Sequence, residues 1–210
     1  MRYFFAITIG YLLGSFSPSA IIAKKKNHDL RREGSGNLGA TNTFLSIGKK
    51  YGFLVMGIDM LKAIIAYQIA SSLLPNCEFA GLIGGGAAIV GHVFPIFLKF
   101  KGGKGLACFG GTVLAYDPIL FLILMLITVA LVLIFNYTAA MPISASLLFP
   151  IAAGLRDRSF TIFFVASVIS SIITVKHWEN LVRARNGSEM KVRDYLFHSE
   201  KEDDKSEEGR

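Results

Sequence analysis

The sequence has few cysteines, few charged residues and, before its last twelve positions, few acidic residues. Its two cysteines, Cys77 and Cys108, lie in different apolar stretches and predict neither a disulfide framework nor a cysteine-rich metal site. Charged residues make up 18% of the 210 residues, whereas 52% are hydrophobic, and the mean hydropathy is +0.50. This composition argues against a soluble enzyme, a secreted disulfide-rich scaffold and a disordered chain.

What the chain has in abundance is long apolar runs, and about 20 apolar residues suffice to cross a bilayer. A cleaved signal peptide carries its positive charge before the apolar region, but here the larger basic cluster follows the first run, which therefore stays as a span. The fourth segment is short for a full crossing. We predict an all-α integral membrane protein, a bundle of seven transmembrane helices. The segments are 3–23, 51–74, 79–97, 106–116, 119–135, 138–155 and 159–175.

Basic residues fall into three clusters, with seven in 24–50, three in 99–104 and five in 176–193. Seven crossings put all three clusters on one side of the membrane, which the positive-inside rule identifies as the cytoplasm. The expected orientation therefore has the N-terminus outside and the C-terminus inside. If segment 106–116 were re-entrant, this parity would change.

The acidic residues are concentrated at the C-terminus, where residues 199–210 hold six acids, three bases and no apolar residue. We predict that this tail is disordered and that residues 1–198 form a single transmembrane domain. The rest of the chain is strongly basic, which indicates anionic lipid headgroups or anionic substrates as partners. Nucleic acid is disfavoured, because each basic cluster adjoins an apolar segment.

Three polar segments carry candidate chemistry, and the first, residues 34–42, has glycines in G-x-G-x-x-G spacing. A dinucleotide-binding fingerprint would need a preceding strand, and the sequence predicts none. Glycines still allow successive backbone N–H groups to face one concavity and bind phosphate oxygens, with Ser35 and Thr41 as further donors. The alternative is an ordinary flexible loop.

The second segment, residues 91–105, ends an apolar run and turns through Gly102 and Gly103 onto Lys104. It is not a Walker A loop, because no Ser or Thr follows the lysine. The turn can place an ammonium group and backbone amides against an anion, although a basic end at the membrane interface is the alternative. We interpret His92, inside the apolar run, as a buried packing residue.

In the third segment, His177, Asn180 and Arg183 recur every three residues and share a face if the last helix continues. That face could bind a phosphate or a hydroxyl, or it could belong to an amphipathic helix on the membrane surface.

Within the second apolar run, Asp59 and Lys62 are spaced to form an ion pair that faces the bundle interior. A purely structural ion pair explains these two residues at least as well as a functional site does.

Together these motifs resemble the acylphosphate-dependent glycerol-3-phosphate acyltransferases of bacterial membranes. The resemblance rests on residues 35–42 (SGNLGATN), 91–95 (GHVFP), 100–105 (FKGGKG) and the spacing of His177, Asn180, Arg183, Gly187 and Glu189. It implies a multi-pass enzyme of the plasma membrane whose active site faces the cytoplasm. The implied reaction transfers an acyl group from acyl phosphate to the 1-hydroxyl of glycerol 3-phosphate, without metal or cofactor.

The resemblance also implies roles for individual residues. Ser35 would stabilise the oxyanion or orient the nucleophile, Lys104 would neutralise a phosphate, and His177 and Asn180 would orient glycerol 3-phosphate. These four are the expected catalytic residues, with His177 the protein's candidate general base. The expected substrate-binding residues are Gly36, Asn37, Gly39, Ala40, Thr41, Asn42, Gly102, Gly103, Arg183 and Glu189.

The chain departs from the family pattern at two positions where an arginine is expected, Leu45 and Asn136. Neither replacement can form the bidentate pair that a guanidinium makes with phosphate. The expected consequence is weaker binding of glycerol 3-phosphate or a changed acceptor. Two alternatives therefore stay open, a divergent paralogue with another acceptor and a non-catalytic membrane protein that binds lipid or phosphate.

Overall fold

The structure, a computed structural model, describes residues 1–189, 191 and 192, and in these residues it contains nine α-helices and a short 3₁₀-helix, Ile96–Leu98. The prediction of an all-helical architecture is confirmed for this part of the chain. The predicted tail, 199–210, lies outside the described residues. The helices are α1 (Arg2–Ser15), α2 (Pro18–Lys25), α3 (Ala40–Ser46), α4 (Lys49–Leu73), α5 (Ala80–Val93), α6 (Leu106–Tyr116), α7 (Pro118–Phe135), α8 (Ala140–Asp157) and α9 (Phe160–Arg185).

The first predicted span is broken into α1 and α2 at residues 16 and 17. Pro18 causes this break, because proline disfavours a helical residue before it and lacks the N–H that would continue the ladder. Ser17 caps the new helix, its hydroxyl oxygen accepting from the N–H of Ala20 at 3.4 Å. The break leaves the carbonyl of Phe16 available to a side chain of another helix.

Five stretches are long and apolar enough to cross a membrane, all within the described residues. The 11 residues of α6 are too few, and the 18 residues of α8 end in the charged pair Arg156 and Asp157. The count of seven crossings and the orientation therefore remain predictions. The five stretches are Arg2–Lys25, Lys49–Leu73, Ala80–Leu98, Pro118–Phe135 and Phe160–Arg185.

Helix α5 packs closely against α1 and α4 because glycines leave room for backbone at the crossings. A Cβ added at Gly14 would lie 2.1 Å from the carbonyl oxygen of Ala88, and one at Gly84 would lie 2.2 Å from that of Ala66. Small residues that let helix backbones approach are the usual means of helix association in membranes. This packing fixes the C-terminal end of α5, from which the second motif begins.

The predicted ion pair is present and buried, with Asp59 Oδ1 and Lys62 Nζ 2.7 Å apart on α4. Lys62 also donates to the carbonyl oxygen of Phe16 at 2.7 Å, so the pair is hydrogen-bonded to the backbone at the break between α1 and α2. The Nδ1 atom of His92 lies 3.0 Å from Lys62 Nζ and 3.3 Å from Asp59 Oδ1. His92 is buried as expected, and it also connects this pair to α5.

Candidate active site

The third motif forms a hydrogen-bonded cluster at the C-terminal end of α9. Asn180 Nδ2 donates to Glu189 Oε1 at 2.7 Å, and Arg183 Nε donates to Glu189 Oε2 at 2.7 Å. Glu189 can return to the helix because Gly187 adopts a φ of +71°, a conformation that favours glycine. One carboxylate therefore holds both the amide and the guanidinium in fixed positions.

Lys104 from the second motif joins this cluster, since its ammonium group donates to Asn180 Oδ1. Partial burial lowers the pKa of Lys104 below the usual lysine value, and the nearby guanidinium of Arg183 lowers it further. The carboxylates of Glu189 and Glu179 partly oppose this change. The second and third motifs thus meet through Lys104 and Asn180, which are 76 positions apart in the sequence.

Buried His177 lies on the same helix, and its Nδ1 atom is 2.9 Å from the carbonyl oxygen of Ile173. Because a carbonyl can only accept, Nδ1 must carry the proton of this hydrogen bond. When the ring is neutral, Nε2 has a free lone pair, which can take up a proton or accept a hydrogen bond from a substrate hydroxyl.

The glycine turn before Lys104 is fastened to the end of α5. Gly102 donates its N–H to the carbonyl oxygen of Val93, and Gly103 donates to that of His92, both at 3.2 Å. These bonds satisfy carbonyls that the last turn of a helix leaves without partners. The two amides therefore position Lys104 in this structure, and the prediction that Gly102 and Gly103 bind substrate directly remains a prediction.

Space around the turn is also restricted. A Cβ added at Gly103 would lie 2.2 Å from His92 Nε2 and 2.7 Å from the carbonyl oxygen of Leu38, which belongs to the first motif. The first and second motifs consequently touch at Gly103. Glycine is required here by this close approach, which the spacing of the motif alone does not reveal.

The first motif is held together by buried Asn42. Its Oδ1 accepts from the N–H of Ser35 at 3.0 Å, while its Nδ2 donates to the carbonyl oxygens of Leu30 and Glu33 at 2.9 and 3.1 Å. The amide of Asn42 is thus used within the loop rather than left open to a ligand. Ser35, Gly36 and Thr41 are exposed, whereas Asn37, Gly39 and Ala40 are partly or fully buried.

Arg31, which the sequence did not single out, ties this loop to the turn after α5. Its Nη2 atom donates to the carbonyl oxygens of Leu98 and Lys101, both at 3.2 Å. Among the described residues no hydrogen bond joins Ser35 to Lys104 or His177. The structure therefore joins Lys104 directly to the Glu189 cluster and places His177 one turn earlier on the same helix. The Ser35 loop is connected to the turn before Lys104 through Arg31 and through the approach of Leu38 to Gly103.

The two positions that lack the expected arginine have distinct surroundings. Leu45 lies on α3 and is 44% exposed. The carbonyl oxygen of Asn136 accepts from the N–H of Val192 at 3.1 Å, and Tyr137 pairs with Lys191 in an isolated β-bridge. Position 136 thus lies beside residues 191 and 192, which follow Glu189 in the sequence.

One further cluster has the composition of a metal site: Asp59, His92 and Cys108 are buried, and their ligand atoms lie within 4.8 Å of one another. These residues already have a cation beside them, because the ammonium of Lys62 lies within 3.0 Å of two of the three. The lysine supplies the positive charge that the carboxylate needs. The expectation that the reaction uses no metal stays a prediction.

A family model for glycerol-3-phosphate acyltransferase matches residues 4–187. The chain belongs to this family. A glycerol-3-phosphate acyltransferase of Aquifex aeolicus is 38% identical over 192 residues, covering 90% of this chain and 98% of the relative. One from Exiguobacterium sibiricum is 37% identical over 202 residues, covering 94% and 96%. The predicted family membership is confirmed.

Two solved structures of PlsY (YgiH), described as an integral membrane glycerol 3-phosphate acyltransferase, have the same fold. The glycerol 3-phosphate form has a TM-score of 0.82 and 36% identity, covering 94% of this chain and all of that one. The lysophosphatidic acid form has a TM-score of 0.83 and 34% identity, covering 91% and 95%. The family likeness, together with the apolar helices, identifies this chain as a membrane protein.

Proposed function

We propose that this chain transfers a fatty acyl group from acyl phosphate to the 1-hydroxyl of glycerol 3-phosphate, for membrane phospholipid synthesis. The products are lysophosphatidic acid and inorganic phosphate. Family membership over nearly the whole chain supports the proposal, as does the likeness to structures in glycerol 3-phosphate and lysophosphatidic acid forms. The observation that carries it is the cluster in which Lys104, Asn180, Arg183 and Glu189 meet beside His177.

The reaction needs little covalent chemistry from the protein, because acyl phosphate is already an activated donor. The acceptor oxygen attacks the acyl carbon, the bond from that carbon to the bridging oxygen breaks, and phosphate leaves with the electron pair. The proton of the hydroxyl passes to a phosphate oxygen or to Nε2 of His177. Catalysis then consists mainly of positioning the acceptor and stabilising negative charge.

The described geometry suggests how each part contributes. Lys104 brings an ammonium against a substrate phosphate, while Asn180 and Arg183, fixed by Glu189, orient glycerol 3-phosphate. The exposed hydroxyl of Ser35 donates to the oxyanion, and the loop from Gly36 to Asn42 contributes further donors to the acyl phosphate. No metal or cofactor is assigned a role.

The proposal also includes the placement of the enzyme in the bacterial plasma membrane. Seven crossings, with α6 and α8 completing the five longer spans, put the N-terminus outside and the C-terminus in the cytoplasm. The active site then faces the cytoplasm, with the acyl chain of the donor among the apolar helices. As part of the same proposal, residues 1–198 form one transmembrane domain.

A second candidate function, acyl transfer to another acceptor, is favoured by Leu45 and Asn136. The same assay separates both functions from a non-catalytic role. Purified protein is given acyl phosphate with glycerol 3-phosphate, with other polyols or with no acceptor, and phosphate and acylated products are measured. The proposed function predicts release that depends on glycerol 3-phosphate and yields lysophosphatidic acid in equal amount. Release with another acceptor alone, or acyl phosphate binding without any release, would overturn it.

A further inference from the structure

A cavity of about 440 Å³ lies between the end of α2, residues 28–31 and the 3₁₀-helix Ile96–Leu98. It reaches the first motif at Leu38, but none of the four expected catalytic residues lines it. Its lining is partly basic and partly apolar. The residues that define these two parts are Lys24, Arg31 and Lys99 on the basic part and Leu30, Leu38 and Phe97 on the apolar part.

The basic part of this cavity carries excess positive charge. Within the described residues, the ammonium groups of Lys24 and Lys99 form no hydrogen bond or ion pair. The one carboxylate in the lining, Asp29, already pairs with Arg32 at 3.4 Å and accepts from the N–H of Arg31 at 3.2 Å. Two lysines therefore line the cavity without an ion pair to any carboxylate of the described residues.

The wall that carries Lys99 is rigidly built. The guanidinium of Arg31 holds the backbone carbonyls of Leu98 and Lys101 on either side of it. Lys99 and Phe100 have φ angles of +55° and +59°, a left-handed conformation that residues with a Cβ rarely adopt. Such a turn persists because its surroundings impose it, so Lys99 is held at the cavity rather than free on a flexible loop.

The apolar part of the cavity continues onto an exposed apolar edge. The ring of Phe97 is 70% exposed and the side chain of Ile96 is 49% exposed, immediately beside the lining lysine. In a membrane protein, aromatic and aliphatic side chains next to basic residues are typical of the level of the lipid headgroups. Free phosphate would need the lysines, but it would leave this apolar edge without a partner.

We infer that this cavity binds the headgroup of an anionic phospholipid. The lipid phosphate lies between Lys24 and Lys99, and its acyl chains extend over Phe97 and Ile96. The site is separate from the catalytic cluster and does not depend on the acyl transfer proposed above. It would hold the loop of the first motif against the membrane surface through Leu30 and Leu38.

The test measures lipid retention by the purified full-length protein with native mass spectrometry, offering phosphatidylglycerol, phosphatidylcholine or inorganic phosphate. The variant Lys24→Gln/Lys99→Gln removes both free charges. The matched control, Lys25→Gln/Lys101→Gln, removes the same charge from neighbouring lysines that do not line the cavity. A third variant, Phe97→Ala, removes the apolar edge and leaves the charge unchanged.

Wild type and the control are expected to retain phosphatidylglycerol in preference to phosphatidylcholine. The double variant is expected to lose roughly thirtyfold in affinity for phosphatidylglycerol, since it removes two charge-assisted contacts to the lipid phosphate that the lysines of the control do not make. Phe97→Ala should also weaken lipid retention. Equal losses in the double variant and its control would overturn the inference. So would inorganic phosphate binding as tightly as the lipid, or phosphatidylglycerol retention unchanged in the double variant.

Discussion

The substitution Gly103→Ala tests whether the turn before Lys104 is fixed by its contact with α5. The added Cβ would lie 2.2 Å from His92 Nε2, whereas ordinary contacts at such positions are 3.4–4 Å. His92 cannot easily yield, because its other ring nitrogen lies 3.0 Å from Lys62 Nζ and 3.3 Å from Asp59 Oδ1. On the other side, the Cβ would meet the backbone oxygen of Leu38 at 2.7 Å.

The turn itself must therefore move by about an ångström to relieve the 2.2 Å contact, and Lys104 moves with it. Overpacking of this kind typically costs about 1–3 kcal/mol of stability. A displacement of about 1 Å in a positioning group can reduce turnover by about 10²-fold. We expect Gly103→Ala to remain folded and to lose roughly a hundredfold in kcat/KM for acyl transfer.

The assay is phosphate release from acyl phosphate in the presence of glycerol 3-phosphate, alongside thermal unfolding in detergent. Gly57→Ala is the matched control, because Gly57 is exposed in the middle of α4 and an added Cβ meets nothing within 4 Å. Alanine there should stabilise the helix by up to about 1 kcal/mol and leave transfer unchanged. Transfer by Gly103→Ala within twofold of wild type would refute the argument from His92.

Three further predictions follow from the same geometry. Glu189→Gln should lower kcat/KM roughly tenfold to hundredfold, because the charge that holds Asn180 and Arg183 is lost; activity equal to wild type would contradict this. Because the pKa of Lys104 is lowered, its ammonium loses the proton at a lower pH than ordinary lysine, so KM for the phosphate substrates should rise at alkaline pH below 10.5. Lys104→Arg should move this rise to higher pH, and an identical pH profile in both proteins would count against it. Leu45→Arg should lower KM for glycerol 3-phosphate by about tenfold through a guanidinium–phosphate pair, and an unchanged KM would show that α3 does not face this substrate.

The resemblance to the family, rather than the residues alone, implied that the second and third motifs contribute to one active site. Two anionic substrates need basic and amide-bearing groups, and Lys104, Asn180 and Arg183 are of those types. Their common position on one side of the membrane followed from the basic clusters flanking the apolar runs. The bonds of Asn180 to Lys104 and Glu189 agree with that expectation.

The glycine turns show where sequence reasoning stopped. Glycines in a polar loop suggest amides open to phosphate, yet the N–H groups of Gly102 and Gly103 donate to the end of α5. Position 103 requires glycine because His92 and Leu38 approach it closely, and these residues lie 11 and 65 positions earlier in the chain. Contacts of this kind depend on helix packing and cannot be deduced from motif spacing.

Asn42 and Arg31 are two polar residues whose hydrogen-bond partners could likewise not be predicted from the sequence. Asn42 was expected to face a ligand, but its burial and its three hydrogen bonds within the loop make it a structural residue as well. Arg31 belongs to a basic cluster that predicted only membrane orientation, and it proves to join two loops through backbone carbonyls. Local sequence does not distinguish a solvated arginine from one that bridges segments.

The most direct measurement of the central claim compares Lys104→Ala with Lys101→Ala in acceptor-dependent acyl transfer by the purified protein. Both variants lose one positive charge from the same segment, but only Lys104 contacts Asn180. Because loss of one preorganised donor typically costs about 10²–10³ in kcat, Lys104→Ala should fall at least about a hundredfold while Lys101→Ala stays near wild type. A Lys104→Ala enzyme that transfers acyl groups within about twofold of wild type would contradict the account.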